Sequence, residues 1–273
     1  MPATEGEQEG LAWQVGVWDR IADIYRSEID KRFTPVVEGV MRRASIKPGE
    51  NVLDVGTGTG SVAVRAATLV APGGRVVGID ISSEMLTLAR ECATSLALED
   101  VTFQEGRAEA IPAGDAEFDV LLASLTCMYV IDRPAAARES ARVLRPGGRF
   151  VAAVWAGPER CDIILFQQTA GRFAPPPPVL GVGPGALADP SAFVAQLAEA
   201  GIDSHVETET LDFDFDDFAS AWEVLAGVTT AHLPEERKRE AKGAVLAAMW
   251  PEGDGPRHFR NETQFIVGQR RRD

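Results

Sequence analysis

The sequence predicts an α/β protein with a β-sheet core and helices on both of its faces. From Asn51 to Val154, short apolar runs alternate with helical patterns, which is typical of parallel βαβ units with right-handed crossovers. The first apolar run passes into three alternating glycines between residues 56 and 60. The second run ends in an acid, Asp80. Together these features predict a ligand site next to the first two strands.

The glycine turn indicates which ligands fit. Residues 51–60 read Asn-Val-Leu-Asp-Val-Gly-Thr-Gly-Thr-Gly, and an apolar run bounded by glycine predicts a buried strand followed by backbone that can approach a ligand closely. The dinucleotide fingerprint has glycine at relative positions one, three and six, but here Gly56 and Gly58 are followed by Ser61 at the sixth position. No Lys-Ser or Lys-Thr pair follows, which excludes a phosphate-binding P-loop. A ligand without a diphosphate is therefore predicted.

The position of Asp80 predicts that the ligand also contains a ribose. An acid about twenty residues beyond such a loop, at the end of a second strand, typically binds ribose hydroxyls, and Asp80 follows the apolar run 75–79. At this point the chain resembles the class I S-adenosylmethionine (SAM) methyltransferases, whose first motif looks like residues 52–60 and whose second strand ends in an acid. The resemblance covers roughly residues 45–155 and continues through Arg107-Ala108-Glu109, Phe118-Asp119-Val120-Leu121 and Val143-Leu144-Arg145-Pro146-Gly147-Gly148-Arg149.

The resemblance implies SAM as the cofactor and a Rossmann-like fold. That fold is a seven-stranded, mostly parallel sheet with one antiparallel strand, helices on both faces, N-terminal helices and a helical or loop cap. Thr59 resembles a cofactor-contacting position in the ubiquinone/menaquinone C-methyltransferase branch. Carried over position by position, the resemblance implies that the cofactor-binding residues are Tyr25, Asp54, Gly56, Thr57, Gly58, Thr59, Gly60, Asp80, Ile81, Met85, Arg107, Ala108 and Ser124.

Some of these residues have a second interpretation. Asp54 either contacts the cofactor's ammonium group directly or orders the loop from behind. Met85 either packs on adenine or belongs to the core. Tyr25 lies in a segment similar to the one that closes over the cofactor in relatives, but an interfacial helix tyrosine fits equally well. Glu109 is interpreted as a solvated or loop-ordering acid.

Three segments organise the chain. Residues 1–44 are predicted to form N-terminal helices, 45–155 the SAM-binding core, and 156–273 a C-terminal part with cap helices and the last two strands. Residues 1–10 are polar and are expected to fray. Apolar residues then recur at helical spacing, and Phe33-Thr34-Pro35 separates two helices.

The later strands and helices are placed by the same patterns. Within the core, strands are predicted at 101–104, 118–123 and 150–154, and a helix from Pro134 is predicted to end at Pro146-Gly147-Gly148. The last two strands are predicted at 205–213 and 263–267, where apolar residues alternate or cluster.

A proline-rich insertion follows the core. Residues 172–185 contain four consecutive prolines and three glycines, a composition that favours an extended loop or a semi-rigid lid. Asp189-Pro190 is then predicted to start a helix that ends at Gly201. Two more helical stretches follow, the second from Pro234 to Met249. The insertion departs from the compact quinone methyltransferases, which argues against a membrane-embedded quinone as the acceptor.

Composition excludes several classes of function. The 273 residues carry a net charge of −14, and a nucleic-acid backbone would require a basic surface. The three cysteines lack any C-x-x-C spacing, and no His/Cys/Asp/Glu cluster has metal-ligand spacing, so neither a disulfide framework nor a metal site is predicted. No apolar run reaches transmembrane length and the first ten residues are acidic, so a cytoplasmic protein without stable membrane association is expected.

The sequence specifies the methyl acceptor less well than the cofactor. The acceptor is expected between the N-terminal helices and the cap, in a pocket formed by Trp13, Trp18, Tyr129, Trp155 and Trp222. These side chains motivate a small aromatic, indole-like or terpenoid acceptor in specialised metabolism. Methyl transfer needs mainly positioning, so a base is optional, and His232 in the predicted cap is the candidate. The apolar N-terminal helices are also a candidate contact for a homo-oligomer.

Two other functions compete with methyl transfer. A nicotinamide-dependent oxidoreductase would use a similar fold, but the misplaced third glycine opposes it. A SAM-binding protein that transfers no methyl group also fits, because methyl transfer requires no single diagnostic residue.

Overall fold

The computed structural model describes residues 5–272, and within them seven strands form one sheet in the order β3-β2-β1-β4-β5-β7-β6. β7 runs antiparallel to both of its neighbours, and the other neighbouring pairs are parallel. This confirms the predicted seven-stranded, mostly parallel sheet. The strands are β1 Asn51–Val55, β2 Arg75–Asp80, β3 Val101–Glu105, β4 Phe118–Ser124, β5 Leu144–Trp155, β6 Ile202–Phe215 and β7 Arg257–Arg270.

Helices cover both faces of the sheet. A π-helical turn, Tyr25–Ile29, joins α1 to α2, and a 3₁₀ turn, Cys127–Tyr129, follows β4. Between residues 5 and 272 no helix combines the length and the hydropathy needed to cross a bilayer. The helices are α1 Glu5–Ile24, α2 Asp30–Arg32, α3 Thr34–Ala44, α4 Ser61–Val70, α5 Ser83–Ser95, α6 Arg133–Val143, α7 Asp162–Gly171, α8 Ser191–Glu199, α9 Phe218–Leu225, α10 Gly227–Thr230 and α11 Glu235–Met249.

The strand order places a crevice at the centre of the sheet. β1 pairs with β2 on one side and with β4 on the other, so the chain connections diverge from β1 in opposite directions. In open α/β sheets ligands bind at such a switch point, outside the carboxyl ends of the strands. β1 and β4 are buried almost throughout, as expected of central parallel strands. The loops after β1, β2 and β4 therefore meet over a rigid floor.

Two boundary predictions were wrong. Residues 1–4 lie outside the described part, but residues 5–10 are helical rather than frayed, because Gly10 is buried and packs closely against Val179 and Ile131. The helix before β5 ends at Val143, and Pro146-Gly147-Gly148 lies inside the strand. A register shift opposite these residues, between Phe118 and Val120, accommodates them as an irregularity of the β4/β5 ladder.

The last two strands are longer than predicted. β6 and β7 pair over fourteen residues each, from Ile202 opposite Arg270 to Phe215 opposite Arg257. At its start, Asp203 and Ser204 interrupt the apolar pattern that marks a buried strand, whereas Leu211, Phe213 and Phe215 near its end are buried at alternate positions. The unbroken 172–190 segment without helix or strand confirms the predicted proline-rich loop.

Close packing of one glycine fixes α3 against the sheet. A Cβ at Gly39 would collide with the ring of Phe265 on β7, and the Arg43 guanidinium lies 3.8 Å from the centroid of the same ring. The side chain of Phe265 is fully buried. α3 thus approaches β7 more closely than any residue with a side chain would allow.

We expect Gly39→Ala to lower the free energy of unfolding by about 1–3 kcal/mol, because overpacking against Phe265 outweighs the gain in helix propensity of roughly 1 kcal/mol. Gly243→Ala in α11 is the matched control, since nothing lies within 4 Å of a Cβ built there. It should stabilise the protein by up to about 1 kcal/mol. Urea unfolding measures both changes, and equal effects of the two substitutions would contradict the close contact.

Candidate functional site

The loop between β1 and α4 is held in a shape that only glycine adopts readily. Gly56, Gly58 and Gly60 have φ values of 67°, 54° and 88°. A Cβ at Gly56 would also collide with the side chain of Thr126 after β4. The amides of Gly56 and Thr57 donate to the carbonyl of Ile79, at 2.8 and 2.9 Å. The loop therefore lies against the end of β2 with its backbone exposed to the crevice.

A first cavity of about 120 Å³ lies at the carboxyl ends of β1, β2 and β4. Its walls come from the glycine loop, the ends of β2 and β4, the segment after β3 and the helix α1. Most of the predicted cofactor residues meet here, although they are spread over a hundred positions of sequence. Those that line the cavity are Tyr25, Gly56, Gly58, Asp80, Ile81, Met85, Arg107, Ala108 and Ser124.

Asp80 is a buried carboxylate at the wall of this first cavity. One of its oxygens accepts from the amide of Gly58 at 2.8 Å and the other from the amide of Ser82 at 3.0 Å. Burial raises the pKa of Asp80, and the two amides oppose that shift. A carboxylate has about four acceptor positions, so capacity remains for hydroxyl donors of a ligand.

Four predicted residues lie beneath the loop rather than at the cavity surface. The Thr57 hydroxyl donates to Asp54 at 2.7 Å, and burial raises the pKa of Asp54 to about 7. The Thr59 hydroxyl donates to Asp30 at 2.5 Å, and Gly60 begins α4 close to Ala89. Of the two interpretations of Asp54, the structure supports the one in which it orders the loop from behind.

The N-terminal helix α1 closes the first cavity from above. The hydroxyl of Ser82, after β2, donates to Asp19 at 2.6 Å, and Ile21 packs with Met85 in a small apolar cluster. Asp30, just after the π-helical turn, accepts from Thr59 of the glycine loop. α1 and the turn that follows it are therefore hydrogen-bonded, through Asp19 and Asp30, to the loops that they cover.

Glu109 orders a neighbouring loop, as one of its two interpretations holds. Its carboxylate accepts from the backbone amides of Ile131 and Asp132, at 3.0 and 3.4 Å. The bond connects the segment after β3 to the segment after β4. Both segments line the first cavity, so Glu109 fixes the distance between two of its walls.

A second cavity of about 470 Å³ adjoins the first, and Gln14, Trp18 and Tyr129 line both. It lies between α1, α7, the proline-rich loop and the segment around α10. No acidic residue of the described chain lines it, and the basic side chains among its described lining residues are Arg172 and His232. Burial raises the pKa of Tyr129, so the hydroxyl of this shared residue stays protonated. The second cavity is thus largely apolar, although the protein carries a strong net negative charge.

The aromatic residues predicted for the acceptor pocket separate into three places. Trp13, Trp18 and Tyr129 line the second cavity. Trp155 is buried at the end of β5. It lines a third, small cavity of about 30 Å³ that lies beneath the second cavity. Trp222 lines none of these cavities, so its prediction was wrong. Its ring packs 6.0 Å from Phe166 and 6.1 Å from Phe218, because α9 turns its apolar face toward the core.

His232 lies on the wall of the second cavity, just after α10. Both of its ring nitrogens are buried, and within residues 5–272 neither has a hydrogen-bond partner. Its ring meets that of Trp13 edge to face, with 6.3 Å between centroids. Burial lowers the pKa of His232, and the nearby charge of Arg20 lowers it further. The imidazole is therefore neutral near pH 7 and has a nitrogen free to accept a proton.

Sequence reasoning missed two glutamines of these walls. Gln14 is buried and its amide donates to the carbonyl of Tyr129 at 2.8 Å. The spacing of Gln14 and Trp18, four residues apart on one helix face, was an available signal. Gln167 lines the second cavity from α7, where neither spacing nor motif distinguishes it.

Comparisons with known proteins agree with this geometry. The family model described as a methyltransferase domain matches residues 46–160. Nocamycin O-methyltransferase from Saccharothrix syringae is 35% identical over 253 residues, covering 84% of this chain and 88% of the relative. The ubiquinone/menaquinone biosynthesis C-methyltransferase of Hahella chejuensis is 35% identical over 188 residues, covering 66% of this chain and 68% of the relative. The first similarity therefore spans most of both chains, and the second about two thirds of each.

A solved structure supports the same fold. The YcgJ protein from Bacillus subtilis superimposes with a TM-score of 0.64 at 21% identity, over 88% of this chain and 99% of that one. The first cavity also fits the cofactor of this family. Its glycine backbone is open, the buried carboxylate of Asp80 lies in its wall, and no P-loop lysine is present for a diphosphate. The nicotinamide alternative is therefore set aside, and the chain belongs to the class I SAM-dependent methyltransferases.

Proposed function

We propose that this methyltransferase transfers the methyl group of SAM to an oxygen atom of a small, largely apolar acceptor, aromatic, indole-like or terpenoid, in specialised metabolism. In this proposal the first cavity holds SAM and the second holds the acceptor. The observation that carries it is the shared wall of Gln14, Trp18 and Tyr129, which brings the two cavities into contact.

Each cofactor residue has a proposed role that follows from its place in the first cavity. Asp80 accepts hydrogen bonds from the ribose hydroxyls. Ile81 and Met85 flank the adenine, beside the backbone of Arg107 and Ala108. Gly56 and Gly58 admit the methionine part, which extends toward Ser124. Asp54, Thr57, Thr59 and Gly60 act indirectly, by holding the loop that these contacts require.

Positioning is the main chemical task of the chain. SAM supplies an activated methyl group on a sulfonium, and the acceptor oxygen displaces the thioether in line, leaving S-adenosylhomocysteine. Holding the two reactants in near-attack geometry can supply most of the rate. Trp18 and Tyr129 at the junction orient the acceptor, while α1 and the proline-rich loop exclude water. His232 takes the proton that the acceptor hydroxyl loses.

Coverage of the relatives favours oxygen as the methylated atom. The similarity to nocamycin O-methyltransferase spans 84% of this chain and so extends into the segments that form the second cavity. The similarity to the quinone C-methyltransferase spans only 66%. The aromatic walls and the lack of acidic side chains in the described lining add support for an apolar acceptor.

A homo-oligomer that forms through contacts between the N-terminal helices stays a prediction, and light scattering can test it.

Transfer of label tests the proposal directly. Incubation with methyl-labelled SAM and a panel of hydroxylated aromatic, indole and prenylated acceptors should move label into an organic product. Label that never leaves the cofactor, in a protein that binds SAM, would instead support the alternative of a SAM-binding protein that transfers no methyl group.

Asp80→Ala should weaken SAM binding by roughly 10-fold to 150-fold, which corresponds to the roughly 1.5–3 kcal/mol of a hydrogen bond to a charged group. Isothermal titration calorimetry measures the change, and circular dichroism confirms that the variant is folded. Asp100→Ala is the control, since Asp100 is exposed just before β3, at the opposite end of the strands. Equal affinity of the folded Asp80→Ala variant and the wild type would remove Asp80 from the cofactor site.

His232→Gln should lower kcat by roughly 10²-fold to 10⁴-fold, the usual contribution of a positioned base. In the wild type, kcat/KM should fall as the pH drops through the pKa of His232, which lies below its ordinary value of 6.5 because the buried ring resists protonation. That acid limb should vanish in the variant.

His205→Gln is the matched control for this pair of measurements, because His205 is exposed on β6 and lines neither cavity. Its pH profile should match the wild type. A His232→Gln variant with unchanged kcat would show that positioning alone drives the reaction.

A further inference from the structure

Gln167 holds a distinct position in the second cavity. It lies on α7 with only 6% of its surface exposed, and it lines both the second cavity and the small cavity beneath it. Its neighbours along the floor include Trp18, Tyr129 and Val228, which also line both spaces. Gln167 therefore lies where the second cavity adjoins the small cavity beneath it.

The amide of Gln167 is unpaired. Its Oε1 is buried without a hydrogen-bond partner, and its nitrogen likewise makes no hydrogen bond within residues 5–272. The other two buried glutamines of that part of the chain are paired, since Gln14 donates to Tyr129 and Gln264 donates to Ala188 at 3.0 Å. A buried amide without partners costs folding free energy, and because Gln167 lines a cavity, a ligand there can supply the missing partner.

The rest of the lining indicates what that ligand group is. Apolar and aromatic side chains surround Gln167, and no acidic residue of the described chain lines the second cavity. His232, the other unpaired polar group, lies near α10 on a separate element. Among the described lining residues, Gln167 and His232 are thus the two with buried polar atoms that lack a partner, and Gln167 is a neutral amide that both donates and accepts.

We propose that the Gln167 amide binds a neutral polar group of the acceptor, a hydroxyl, carbonyl or amide, that is set apart from the methylated oxygen. The inference rests on the proposed assignment of the second cavity to the acceptor. It narrows the substrate class to largely apolar molecules with at least two oxygen or nitrogen functions. A buried amide without a partner in the protein discriminates strongly against an acceptor analogue that lacks the neutral polar group, because binding of that analogue leaves the amide unpaired.

Two variants separate recognition from folding. Gln167→Leu removes the amide at similar volume. Gln196→Leu is the matched control, because the Oε1 of Gln196 is also buried and unpartnered among the described residues, but Gln196 lies on α8 and lines none of the three cavities. Thermal unfolding of the free proteins should show a midpoint for Gln167→Leu no lower than that of the wild type. A lower midpoint for Gln167→Leu alone would show that the amide serves the fold and would overturn the proposal.

Binding of paired probes tests recognition without catalysis. The probes are 2-naphthol and its derivatives with one hydroxyl, acetyl or carboxamide group at positions 5 to 8, titrated by the fluorescence of Trp13 and Trp18, which line the cavity. At least one derivative should bind the wild type more than 10-fold tighter than 2-naphthol. That advantage should disappear in Gln167→Leu and persist in Gln196→Leu. If no derivative has an advantage that depends on Gln167, the proposal is wrong.

Methyl transfer is measured separately, so the two proposals fail differently. If the probes bind and are methylated but Gln167→Leu shows no loss of discrimination, only the role of Gln167 is wrong. If SAM binds and the probes bind with Gln167-dependent discrimination, but no label is transferred to any acceptor, the proposed methyl transfer fails while recognition by Gln167 stands.

Discussion

The site depends on the hydrogen bonds that hold the loop after β1 against the end of β2. The amides of Gly56 and Thr57 donate to the carbonyl of Ile79, and the amide of Gly58 donates to Asp80. These bonds require the left-handed glycine conformations, which in turn leave loop backbone facing the crevice. The same carboxylate that fastens the loop is the one proposed to bind ribose, so loop shape and cofactor recognition share one group.

Buried carboxylates around this loop explain why a cationic cofactor suits an already acidic protein. Burial raises the pKa of Asp30, Asp54 and Asp80, since none of them has a basic side chain as a hydrogen-bond partner in the described structure. A raised pKa contributes stability that is fully present below the unfolded value and is lost as the pH rises through the folded value, which for Asp54 is about 7. The free protein is thus less stable near neutral pH, and a sulfonium bound near these carboxylates would offset the effect of burial by favouring their ionised forms.

The sequence predicted what local chemistry determines and missed what tertiary contacts determine. The glycines, Asp80 and the alternation of strands and helices are local, so the sheet and the first cavity were predictable. Trp222 was assigned to the pocket from its residue type alone, but the direction of the α9 apolar face decides its place. Gln167 is one polar residue in an apolar helix, and its significance comes only from the absence of partners around it in the described fold.

The second cavity resists sequence reasoning because its walls come from segments that are distant in the chain and that Arg133 helps to hold together. Arg133, at the start of α6, donates to the carbonyls of Cys127 and Met128 in the 3₁₀ turn, and to that of Gly181 in the proline-rich loop at 2.6 Å. The amide of Gly183 also donates to Met128, at 3.0 Å. The turn that carries Tyr129 into both cavities is therefore bonded to the loop that covers the second. A change in that loop would shift Tyr129 as well, so the shapes of the two cavities are coupled through this turn.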